Sequence, residues 1–135
     1  MEIRKSTFDY QPSLIEYEGN TVRINFDVEQ IELVNNMDSN EGKQATRKAY
    51  AAHVVRISQP VSRDKVIDAI VSEAYPTDKM QAIINNHFVN LGVVADGGML
   101  DADELAHEEE YVAMQEWRKK AKSVASDVMA ELSNR

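Results

Sequence analysis

Cysteine is absent from this chain of 135 residues, which removes disulfides, thiolate metal ligands and a cysteine nucleophile, and is compatible with a reducing compartment. Glycine (5) and proline (3) are scarce, so no low-complexity tract arises and regular elements have few obligatory breaks. Although 43% of the residues are apolar, no run approaches the roughly 20 residues of a membrane-spanning helix. The amino terminus, Met1-Glu2-Ile3-Arg4-Lys5-Ser6, carries no apolar stretch of the secretory kind; a cytoplasmic protein without a membrane partner is expected. Basic residues are in deficit, 15 Lys and Arg against 23 Asp and Glu, for a net charge of -8. That balance opposes phosphate backbones and anionic lipid surfaces, whose binding depends on displacing counterions with cations.

What is present is the composition of an ordinary globular protein of one-domain length, able to hide roughly two-thirds of its unfolded surface. Residues 13–57 favour strands and residues 61–134 favour helices, a segregation that predicts an α+β fold. The expected architecture is an antiparallel sheet of three or four strands, packed by a helical hairpin and a long C-terminal helix. As domains, we divide the chain into an α+β body over 1–95 and a flexible connection with an amphipathic helix over 96–135, part of the same domain or projecting from it.

The sharpest local signal is Gly19-Asn20, a two-residue turn. Pairing Glu18 with Thr21 sets Tyr17 opposite Val22, Glu16 opposite Arg23, Ile15 opposite Ile24 and Ser13 opposite Phe26, giving one apolar side and an ion pair on the other. The alternation Val22, Ile24, Phe26, Val28 then changes phase to Ile31 and Leu33, which predicts a bulge near Glu29 and Gln30. Residues 35–45 read as a polar, mobile loop before a strand ending at Val54, Val55 and Ile57. Ser62 reads as the N-cap of a helix over 62–74 with the stripe Val66, Ile67, Ile70, Val71 and Ala74. Thr77 is expected to cap a second helix with the stripe Met80, Ile83, Ile84, His87, Phe88 and Leu91, closed by a left-handed Gly92. Val93 to Asp101 reads as a flexible segment.

From residue 99 to the end no glycine or proline occurs. Met114, Trp117, Ala121, Val124, Ala125, Val128 and Leu132 fall in one helical sector about 100° wide. Leu105 and Val112 lie on the opposite side, so the continuous helix is expected to begin near Glu108. Met114, Trp117, Ala121, Val124 and Val128 keep a 3,4,3,4 spacing, the rhythm of a coiled-coil seam, and form the candidate protein interface, flanked by Arg118, Lys119, Lys120 and Lys122. The competing reading packs this stripe on the chain's own sheet.

Other constellations are thin. Gln81, Asn85, Asn86 and Asn90 on the hairpin of residues 62–91 suggest a DNA-reading helix pair, but local acids outnumber local bases. His53, His87 and His107 show no metal-protease spacing, and His87 sits on an apolar stripe as a hydrogen-bonded histidine would. The acidic run from Asp101 to Glu110 fails the calcium-loop template, with Ala106 and Val112 where Gly and Glu belong; it reads as a solvated helix start favoured by the macrodipole. No cofactor, metal or catalytic set is indicated, and a small-molecule or enzymatic domain without a recognisable motif stands as a further alternative.

Two stretches, VSRDKVIDAIVSEAYPTDKMQAIINNHF (61–88) and EEYVAMQEWRKKAKSVA (109–125), resemble short uncharacterised proteins of prophages and mobile elements in gut bacteria. The second is also similar to the C-terminal helices of phage tail-fibre assembly proteins. The resemblance implies a phage-associated structural or assembly role. The functional expectation is a non-catalytic interaction or assembly protein that binds another protein, or a second copy of itself, through the C-terminal helix.

Overall fold

The computed structural model of the chain describes residues 3–35 and 45–135. The fold is α+β: a four-stranded antiparallel sheet followed by three helices, ending in a long C-terminal one. The strands are β1 (Ser6–Phe8), β2 (Ile15–Glu18), β3 (Thr21–Asn35) and β4 (Ala45–Ser58), ordered β1-β4-β3-β2. The helices are α1 (Arg63–Ala74), α2 (Thr77–Ala95) and α3 (Ala102–Ser133). Two compact units result, Met1–Val61 and Ser62–Arg135. This division falls after Val61 and groups α1 and α2 with α3.

In the first unit the hairpin keeps the register expected from sequence, Glu18 opposite Thr21 through to Ile15 opposite Ile24. Gly19 takes a positive φ of 63° at the turn. The bulge comes earlier than expected: the ladder slips between Phe26 and Glu29, where Asp27 adopts φ of 52°, a region that Asp tolerates better than most residues. β3 advances by three residues there while β4 advances from His53 to Ala51. One extra residue keeps Ile31 on the face already carrying Val22, Ile24 and Phe26, because β4 alternates unbroken through Ile57, Val55, His53, Ala51 and Ala49. The polar loop expected over 35–45 lies for the most part outside the described residues.

β1 and β2 occupy opposite edges of the sheet, so residues 9–14 must cross two strands. Three inter-strand gaps span about 14 Å, within the roughly 20 Å that six extended residues reach. The opposite sheet face holds the polar network that receives this crossing. Arg23 Nη2 donates to Glu16 Oε1 at 2.5 Å and to the Tyr10 hydroxyl at 2.8 Å, and its guanidinium lies 5.3 Å from the Phe8 ring centroid. The buried Asn25 side chain donates to Ser13 O at 2.8 Å and Glu16 Oε1 at 2.6 Å.

In the second unit, Ser62 caps α1 as expected, its hydroxyl accepting from Lys65 N at 3.2 Å. The N-cap of α2 is Pro76, with no side-chain cap, and Thr77 is already helical. Gly92 lies inside α2, and the left-handed residue is Gly97, φ 82°. Gly97 N donates to Val94 O at 3.0 Å and Gly98 N to Val93 O at 2.9 Å, the paired closure that uses a helix's last carbonyls. Part of the segment expected to be a flexible link, Val93 to Ala95, is therefore the last turn of α2.

The long helix starts six residues before the expected Glu108. Asp101 caps it in a reciprocal box: Glu104 N donates to Asp101 Oδ1 at 2.8 Å and Asp101 N to Glu104 Oε1 at 3.0 Å. Two orphan donors are thereby satisfied and acids sit at the positive end of the dipole. At 32 residues α3 is about 48 Å long. No described helix is long and apolar enough to cross a membrane.

Candidate functional site: the two faces of the C-terminal helix

α3 packs against both α1 and α2 and has a different partner on each side. The face expected to bind another protein is already occupied inside the chain. Met114, Ala121, Val124, Ala125 and Val128 are buried, as are Val66, Ile70 and Ala74 of α1. Trp117 is half-buried, and its Nε1–H donates to Ile70 O at 2.8 Å, tying the middle of α3 to the body of α1. Of the five candidate interface residues, Met114, Trp117, Ala121, Val124 and Val128, none is fully exposed. The seam rhythm thus falls on a face that is buried within the folded chain.

α2 meets α3 through a polar cluster. His87 Nδ1 lies 2.9 and 3.0 Å from the two Glu108 carboxylate oxygens. The carboxylate only accepts, so the ring carries a proton on that nitrogen. The same ring stacks on Tyr111 with centroids 3.7 Å apart and planes 5° off parallel. Asn90, buried, donates through Nδ2 to Glu104 O at 2.9 Å and Glu108 Oε1 at 3.0 Å. These pairings place residue 87 beside 108 and 111, and residue 90 beside 104, so the helices are antiparallel. Burial pushes the Glu108 carboxyl up, but hydrogen bonds from Asn90 and His87 and the attraction of the His87 ring outweigh it and hold the group below its ordinary 4.5.

A depressed folded pKa contributes stability above the unfolded value that is lost as pH falls through the folded one. The urea midpoint is therefore expected to fall below about pH 4.5, and Glu108→Gln to narrow its gap to wild type over that window. An unchanged gap between pH 7 and pH 3 would remove Glu108 from the acid response. His87 is hydrogen-bonded, as expected of a histidine on an apolar stripe. The Asn90 amide is committed within the protein, which removes one of the four groups considered for reading bases; Gln81 and Asn85 are exposed. Among the described residues no three His, Asp or Glu side chains gather as a metal ion would require.

Beside this cluster lies a surface that the sequence reading does not single out. Phe88 is 65% exposed, Leu91 50%, Leu105 53% and Val112 57%. Measured at 100° per residue from the line joining the helices, Leu91 and Phe88 lie about 75° and 130° round α2, and Val112 and Leu105 about 75° and 95° round α3. Because the helices are antiparallel, rotations of the same sense bring both flanks to one side. On that side Leu105, Glu108, Glu109, Val112 and Ala113 line a depression of about 480 Å³. The α2 stripe predicts Phe88 and Leu91 in the core; only Ile83 of that stripe is buried. The signal available in the sequence is the off-stripe pair Leu105 and Val112, seven residues apart on one helix flank.

No protein-family model, curated protein or solved structure matches the chain.

Proposed function

We propose that this is a non-catalytic interaction or assembly protein that docks through the outward flank of the α2–α3 pair. One observation carries the reading: four large apolar side chains, Phe88, Leu91, Leu105 and Val112, stand at least half exposed on one side of two adjoining helices. Contiguous apolar patches of this kind on soluble proteins mark contact surfaces. The buried Met114, Ala121, Val124 and Val128 hold α3 in place, and the half-buried Trp117 anchors it. α3 still serves as the binding element, through the side opposite to its seam. A phage-associated assembly role, implied by the resemblance of residues 61–88 and 109–125, is compatible with a small acidic docking module.

Introducing a photoreactive benzophenone residue at Val112 tests the reading. Irradiation in a native extract is expected to give a discrete protein adduct at Val112 and none at Ser72, an exposed control on α1. Absence of any adduct at Val112, with this chain or another, would overturn it.

A further inference from the structure

The occupant of that flank can be argued from the charges on α3. Residues 101–116 contain seven acids and no Lys or Arg, whereas residues 118–122 contain four bases and no acid. On the outward flank, in the sector of Leu105 and Val112, this segregation leaves Glu109 before residue 114 and Lys119 and Lys120 after it, all exposed, while Glu116 lies with the bases and pairs with Lys119 of its own chain at 3.6 Å. Such an order is self-complementary under a two-fold axis.

Resting on the docking reading above, we infer that the surface binds a second copy of this chain, α3 against α3 and antiparallel, about an axis near residue 114. Around that axis residue i of one copy meets residue 228 − i of the other. Glu109 then faces Lys119, while near the centre Val112 and Ala113 of one copy lie against Glu116 and Gln115 of the other. The same register sets Leu105, with Leu91 beside it on α2, against Ser123 and Ser126 of the second copy. Those two positions are exposed on the same flank and small enough for large side chains to seat against them. A parallel pairing instead stacks acid on acid and base on base, which costs association energy. Asp127 and Glu131 depart from the acid-then-base order, and this register sets Asp127 against Asp101, a repulsion at the rim of the contact. Over an overlap of about 25 residues the helices face each other for about 37 Å, which with the α2 flank approaches the roughly 1,000 Å² of a small specific interface. A dimer that dissociates in the micromolar range and weakens with salt is expected.

Sedimentation equilibrium in 50 mM salt over about 1 to 200 µM protein reads this directly. The wild type is expected to pass from one chain mass to two. Lys119→Glu and Glu109→Lys are each expected to dimerise at least about tenfold more weakly, and their equimolar mixture to recover the dimer. Circular dichroism melts of both variants check that the fold is intact. A wild type that stays at one chain mass throughout, or a mixture that fails to recover, overturns the second-copy inference. The Val112 crosslink separates this failure from that of docking itself. An adduct of two chain masses supports the inference, and one of another mass overturns it while leaving the docking surface standing. No adduct at all overturns both.

Discussion

Trp117→Ala is expected to destabilise the helical unit by about 3 kcal/mol, lowering its melting temperature by roughly 10 °C. Two losses combine. The indole is half-buried, and its removal leaves space that only partly collapses. Its Nε1–H also donates to Ile70 O across a sequence separation of 47 residues, the kind of long-range tie that a local helical contact cannot replace. Trp117→Phe retains most of the packing and loses the hydrogen bond, so a cost of about 1 kcal/mol is expected. Thermal melts of the two variants measure the difference. Equal costs would mean that the hydrogen bond contributes nothing, and a Trp117→Ala protein as stable as wild type would mean that the indole does not hold α3 to α1. If the outward flank is the docking surface, Trp117→Phe leaves association unchanged.

The second large effect is expected at Arg23. Its guanidinium, 17% exposed, bonds Glu16 and Tyr10, lies 3.4 Å from Glu18 and sits by the Phe8 ring. Removing it strips these partners at once, and Glu16 keeps its burial without its counter-charge. A cost of about 2–3 kcal/mol is expected for Arg23→Ala, above the range of an exposed surface pair. Arg23→Lys should recover less than half, since an ammonium lacks the planar fork that reaches Glu16 and Tyr10 together. A double-mutant cycle with Glu16→Ala isolates the pair; a coupling below about 0.5 kcal/mol would reduce it to an ordinary surface contact. Burial pushes the Glu16 carboxyl up, and hydrogen bonds from Arg23, Tyr10 and Asn25, with the Arg23 charge, bring it below its ordinary 4.5. Its contribution is present above that value and lost as pH falls through the lower folded pKa, so Arg23→Ala should blunt the acid loss as well.

The network around Arg23 also shows how far sequence reading extends. Glu16 opposite Arg23 follows from a two-residue turn and a period of two, and the structure has that pair. That Tyr10 and Phe8 join it depends on the chain crossing the sheet from one edge to the other, and no periodicity within residues 6–15 encodes strand order. The bulge is legible as a phase change but not at its position, because a register slip can be written at several neighbouring residues with the same downstream alternation. Asp27, with its positive φ, is the residue that takes it.

The C-terminal helix makes the same point about function. Its sequence reading rests on one stripe, and the displacement of Leu105 and Val112 from that stripe delays the predicted helix start. The Asp101-to-Glu104 spacing is the competing signal, a capping box legible in the sequence alone. A helix from Ala102 turns the two off-stripe residues into a second face.

Local chemistry alone determined the α+β class, the first hairpin's register, the Ser62 cap, the seam residues of α3 and the separation of charge along it. Each depends on neighbours within a turn or a strand pair, where spacing maps directly onto geometry. Tertiary structure decided which apolar stripe is consumed and which stays open. The seam of Met114 to Val128 is buried in the folded chain, whereas Phe88, Leu91, Leu105 and Val112 remain exposed. Amphipathicity records that a face is apolar; only the placement of α1 and α2 around α3 settles whether water still reaches it.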